Sequence, residues 1–172
     1  PSAAAQNGVA FAQQPVITVA DSSSNPVLAA GTTVTAAIAT GAPALAGTPT
    51  ALTNASGVAT FTGLRLVGVV GSRTLTFTAT GLTSINSPAI VLSAGAAKTI
   101  ALNGGNNQTT GVGQPVAVPP SVLVTDTTGN PVAGVNVTFT VTLGGGSVGT
   151  PVAVTGANGI ANAGGWILGA TA

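Results

Sequence analysis

The chain has 172 residues, and only Arg65, Arg73, Lys98, Asp21 and Asp126 are charged, or 3% where an ordinary domain carries about 25%. Glu, His, Cys, Met and Tyr are absent, which removes imidazole and thiolate metal sites and thiol chemistry. A net charge of +1 leaves no basic surface for counterion release, so nucleic acid is not an expected partner.

The first stretch, PSAAAQNGVAFAQQP, has neither a cationic start nor a compact apolar run and does not read as a signal peptide. Thr, Ser, Gly, Asn or Pro interrupts every later apolar run well short of the ~20 residues that a spanning helix needs. No membrane insertion is therefore expected. Val, Ile, Leu and Phe are still plentiful enough for a core, which argues against disorder.

PVITVADSSSNPV, Pro15–Val27, reads as a strand running into a turn at Asn25-Pro26. Proline fixes φ and cannot donate to a ladder, so it marks where pairing stops. Asp21 is expected to hold that turn by accepting backbone N–H groups. VATFTGLRL predicts a strand with a break at Gly63, sending Phe61 and Leu64 to the core. In RTLTFTAT, Leu75, Phe77 and Ala79 alternate with Thr74, Thr76 and Thr78, the period of a half-buried strand. SAGAAKTI then reads as a short link around Ser93–Lys98.

Beyond the link, PSVLVTDTTGNPV at Pro120–Val132 predicts a second strand and turn, with Asp126, Asn130 and Pro131 in the roles of Asp21, Asn25 and Pro26. VNVTFTV predicts a strand with Val135, Val137, Phe139 and Val141 on one face. GGGSVG, Gly144–Gly149, fits the dinucleotide-binding spacing only formally. That motif needs a following helix and an acid about 20 residues on, whereas Pro151 follows and no acid lies beyond Asp126. It reads as a flexible loop. The final TGANGIANAGGW carries Trp166, expected in the core because its repeat partner is Leu64.

An internal repeat organises these elements. Pro15–Val27 matches Pro120–Val132 at an offset of 105, and Thr53–Ala59 matches Thr155–Ala161 at an offset of 102. Two domains are expected, residues 1–95 and 96–172, each all-β and without a long helix. Neither copy holds the whole repeat. Copy one has no counterpart of Ala96–Gly105, its first strand, and copy two has none of Gly71–Gly95, its C-terminal strands. Such gaps expose unpaired backbone. Either the polypeptide continues in both directions, or strands of adjacent subunits fill the gaps by β-augmentation.

The strand and turn VTDTTGNPVAGVNVTFTV with the later TGANGIANAGGW, and DSSSNPV, TNASGVATFTGLRL and GSRTLTFTATGL in copy one, resemble the bacterial immunoglobulin-like repeats of invasin- and intimin-type surface proteins. The resemblance spans essentially the whole chain. It implies tandem Greek-key β-sandwiches outside the cell, acting as stalk, fibre or adhesin modules, with neighbouring repeats or identical subunits as partners. The typical member carries far more Lys, Asp and Glu.

Chemistry finds little to work with. Asp21 and Asp126 are the only carboxylates, and equivalent positions in successive domains do not form a dyad. One carboxylate per domain is a poor calcium site. No His can activate a serine, and the only lysine, Lys98, lies in the link. No cofactor, metal or catalytic residue is expected. Asn54, Asn107 and Asn136 open N-glycosylation sequons, and a Thr-, Ser- and Asn-rich surface with almost no charge suits glycans or neighbouring subunits. The alternative function is a carbohydrate- or receptor-binding module of an adhesin or viral surface protein.

Overall fold

The structure is a computed structural model that describes residues 1–41 and 44–170. Among the described residues there is no helix; every regular element is a strand. The all-β expectation is met. The chain divides into two compact units, Pro1–Gly95 and Ala96–Ala172.

Unit 1 contains β1 (Ala4–Gln6), β2 (Val16–Thr18), β3 (Thr33–Thr40), β4 (Ala44–Ala46), β5 (Thr50–Leu52), β6 (Val58–Thr60), β7 (Arg65–Val67), β8 (Gly71–Thr78), β9 (Ile85–Asn86) and β10 (Ile90–Ser93). One sheet runs β1-β10-β8-β3-β5, with β9 beside β8. All its pairs are antiparallel except β1 with β10, which is parallel. The second layer is formed by β2 with β6 and by β4 with β7. From β1 to β5 successive strands alternate between the two layers, the crossing pattern of a Greek-key, immunoglobulin-like sandwich.

The alternation in RTLTFTAT makes this sandwich close. Leu75 and Phe77 of β8 are buried, while Thr74, Thr76 and Thr78 lie on the other face. From the opposite layer Phe61 meets Phe77, with ring centroids 5.6 Å apart at 56°, a tilted arrangement favoured by the ring quadrupoles. Val34, Leu64, Leu66, Ile90 and Leu92 complete the core around them. Gly63 has φ +67, which lets the chain step from β6 to β7.

Unit 2 contains β11 (Thr99–Gly104), β12 (Ser121–Thr125), β13 (Asn136–Thr138), β14 (Gly146–Val148), β15 (Val152–Val154), β16 (Ile160–Asn162) and β17 (Trp166–Leu168). It forms a three-stranded sheet β11-β12-β16 and two ribbons, β13-β15 and β14-β17. The β12–β16, β13–β15 and β14–β17 pairs repeat β2–β6, β3–β5 and β4–β7. Strands equivalent to β8 and β10 are absent among the described residues.

Three expectations change here. VNVTFTV forms a strand only over β13, and of its apolar face only Val137 is buried; Val135, Phe139 and Val141 are half-buried. The equivalent β3 extends over 8 residues because β8 pairs its second edge, and β13 has no such partner. Trp166, expected in the core, is likewise half-buried. GGGSVG is not a free loop: Gly146–Val148 is β14, paired with β17. Glycine allows it, since Gly146 sits at φ +102 with its α-carbon against the Ile167 carbonyl, leaving no room for a Cβ.

Candidate functional site

Both aspartates are committed to turns. The Asp21 Oδ1 accepts the backbone N–H of Ser23 and of Asn25, each at 2.9 Å, and the Asn25 amide donates to Oδ2 at 3.1 Å. Pro26 closes the turn in a bridge with Ala20. The Asn25 backbone and side-chain donors, then the Ser23 N–H, hold the Asp21 carboxyl below the ordinary carboxylate range. In the second turn, Asp126 Oδ1 accepts the N–H groups of Thr128 at 2.9 Å and Asn130 at 3.0 Å. The Asn130 amide donates to Asp126 Oδ2 at 2.9 Å, and Pro131 bridges Thr125. Asp126 and Asn130 are each only 3% exposed, whereas the first turn is open to solvent.

Of the expected core residues, Phe61, Leu64, Leu75 and Phe77 are buried together in unit 1. Phe139 and Trp166 instead line an open apolar pocket of about 290 Å³ with Pro120, Val141, Leu143 and Val148. The Trp166 Nε1–H is buried with no hydrogen-bond acceptor among the described residues. In unit 1 the equivalent Leu64 is fully buried in the cluster that β8 and β10 help to form. Among the described residues unit 2 has no β8 or β10 equivalent to cover its tryptophan.

Sequence reasoning missed a second repeated clamp. Thr53 Oγ1 donates to the Ala29 carbonyl at 2.7 Å and accepts the Thr32 N–H at 2.9 Å. Thr155 does the same with Val132 at 2.7 Å and Val135 at 2.9 Å. The signal was present, because both matching segments, TNASGVA and TGANGIA, open on threonine. Gln14 is a further omission: it donates to the Phe11 and Leu64 carbonyls and accepts the Leu64 N–H, tying the approach to β2 onto the approach to β7.

A second concavity belongs to unit 1. It is an open groove of about 430 Å³ beside β2, floored by Val34 and Phe77 and walled by Ala79, Leu82 and Ile85. Asp21 stands at its end. β2 pairs only with β6, so its outer edge carries no strand among the described residues. The pairing also fixes which groups point outward. Val19 N–H donates to the Gly57 carbonyl and Phe61 N–H to that of Pro15. Odd-numbered residues of β2 therefore serve β6, and Val16 and Thr18 present their N–H and C=O to the open edge.

Among the described residues no three His, Cys, Asp or Glu side chains gather as a metal site, and no helix is long and apolar enough to cross a membrane. The Asn54 side chain of the first sequon is occupied in its own turn, accepting the Ser56 and Val58 N–H groups.

No family model and no curated protein matches the chain. It is similar to a solved structure, the D0-D1 domain of Intimin, at 23% identity and a TM-score of 0.41, over 99% of this chain and 82% of that one.

Proposed function

We propose that this chain is a non-enzymatic structural segment of an extracellular or cell-surface stalk, fibre or filament, built from immunoglobulin-like repeats and associating with neighbouring repeats or identical subunits. One observation carries the reading: the two carboxylates, the only acids in the sequence, are both consumed by their own turns. General acid–base catalysis needs a group free to exchange a proton with substrate, and neither is free. With few charges to keep copies apart, contact between copies is opposed mainly by hydration.

A second reading has a specific observation behind it. The Trp166 and Phe139 pocket, with a buried donor that has no acceptor among the described residues, has the amphipathic character of a sugar- or receptor-binding site. Glycan-array binding of the chain and of Trp166→Ala, with sedimentation velocity across a concentration series, separates the two. The structural reading predicts concentration-dependent association and no saturable glycan signal. Saturable binding lost in Trp166→Ala would replace it with the binding module.

A further inference from the structure

Each unit of this chain lacks what the other has. In unit 2, β11 covers the outer edge of β12, with Thr99 opposite Thr125, Ile100 opposite Val124, Ala101 opposite Leu123 and Leu102 opposite Val122. Yet Ile100 is 59% and Leu102 72% exposed, because among the described residues no strand beyond β13 continues the second layer over them. In unit 1 the second layer is present, as Phe77, Leu82 and Ile85, but no strand among the described residues lies beside β2 and the groove is open.

We propose that the groove beside β2 is an acceptor site for a β-strand of the β11 sequence, donated by a second copy of this chain. The repeat offset of 105 sets the register. Thr125 corresponds to Ala20, Val124 to Val19, Leu123 to Thr18 and Val122 to Ile17. The incoming Ile100 then lies opposite Val19 and Leu102 opposite Ile17. Directly opposed residues share a face of the sheet, so both side chains enter the groove. The backbone of Ala101 meets the outward N–H and C=O of Thr18.

Charge fits as well. In unit 2 the Lys98 N–H donates to the Thr125 carbonyl at 2.8 Å. The same contact with Ala20 sets the one lysine of the donor beside Asp21, whose carboxyl titrates below the ordinary range and is ionised at neutral pH. The occupant depends on the reading of the chain as a self-associating module. The groove and its register do not.

The probe is a synthetic peptide of residues 96–105, AAKTIALNGG, titrated into the dilute full chain while amide hydrogen exchange is followed. The expected result is an alternating pattern. Exchange at Val16 and Thr18 slows by at least about tenfold, while Ile17 and Val19, already bonded to β6, change little. A peptide carrying Ala101→Pro lacks the central donor and binds at least about tenfold more weakly. Leu82→Asn in the chain, at a side chain already 44% exposed, retains the fold and weakens the peptide. No slowing at Val16 and Thr18 would overturn the proposal. So would slowing confined to β12, which means exchange into unit 2, or equal binding by the proline peptide. Any of these leaves the stalk reading standing, since that reading is decided by sedimentation and glycan binding.

Discussion

Units 1 and 2 share matching segments, Pro15–Val27 with Pro120–Val132 and Thr53–Ala59 with Thr155–Ala161, yet among the described residues one closes a core and the other does not. Among the described residues unit 1 buries twelve apolar residues in one cluster, and the cluster in unit 2 has three, Val124, Val137 and Ala161. Local sequence is not the cause. VNVTFTV alternates as cleanly as RTLTFTAT, and Phe139 is as apolar as Phe77. What differs is the covering layer. β8 and β10 lie over Phe61, Leu64 and Leu66 in unit 1, and no described strand does so in unit 2. Burial is a property of the pair of sheets, because a strand face gains nothing until a second face removes its water.

The comparison breaks most easily at its aromatic residues. Phe77→Ala should cost about 3–5 kcal/mol by emptying a closed core, and Phe139→Ala less, about 2 kcal/mol, since that ring is only partly buried, against the small cluster of Val124, Val137 and Ala161. Urea unfolding of both variants by circular dichroism checks the contrast. Equal losses would mean that unit 2 is closed in solution.

The two turns sharpen it next. Asp126→Ala removes the acceptor from the buried Asn130 donors and from the N–H of the exposed Thr128, and should cost about 2–3 kcal/mol. Asp21→Ala should cost less, because water replaces the carboxylate at its exposed site. The same denaturation series measures both.

A smaller effect of opposite sign lies within those turns. Ser24 has φ +65, and its repeat partner Gly129 has φ +85. Left-handed backbone costs a side-chain-bearing residue about 1–2 kcal/mol, partly offset by the entropy of glycine in the unfolded chain. Ser24→Gly should therefore stabilise unit 1 by about 0.5 kcal/mol, read as a small rise in urea midpoint.

The least effect is on acid stability. The Asp21 carboxyl is held below its ordinary range in the folded chain. Its contribution is complete above the unfolded value and is lost as pH falls through the folded one. A pH titration of wild type against Asp21→Asn should show the two stabilities converging at the acid end of the carboxylate range, the wild type losing its advantage there.

What could be read from the sequence was whatever depends on local period or local chemistry. Strand alternation around Leu75 and Phe77 is a two-residue pattern, and the Asp–Asn–Pro turns close within a few residues. The fate of Phe139 and Trp166 was not legible, because it depends on strands far along the chain. β14 hid behind its glycines, whose close approach to the Ile167 carbonyl only the paired structure reveals. The parallel pairing of β1 with β10 joins residues nearly ninety apart, at Gln6 and Ser93, with no periodic signal in AAQ. The groove beside β2 was foreshadowed by the missing counterpart of Ala96–Gly105, but its walls were not.

The contrast between an open and a covered edge rests most directly on two amides at equivalent positions, Thr18 in β2 and Leu123 in β12. Leu123 faces β11, and Thr18 faces the groove. Native-state hydrogen exchange on the dilute chain should find the Thr18 amide exchanging almost as fast as an unstructured one, with Leu123 slowed by about tenfold or more. Equal protection at the two positions would contradict the assignment of β2 as an unfilled edge.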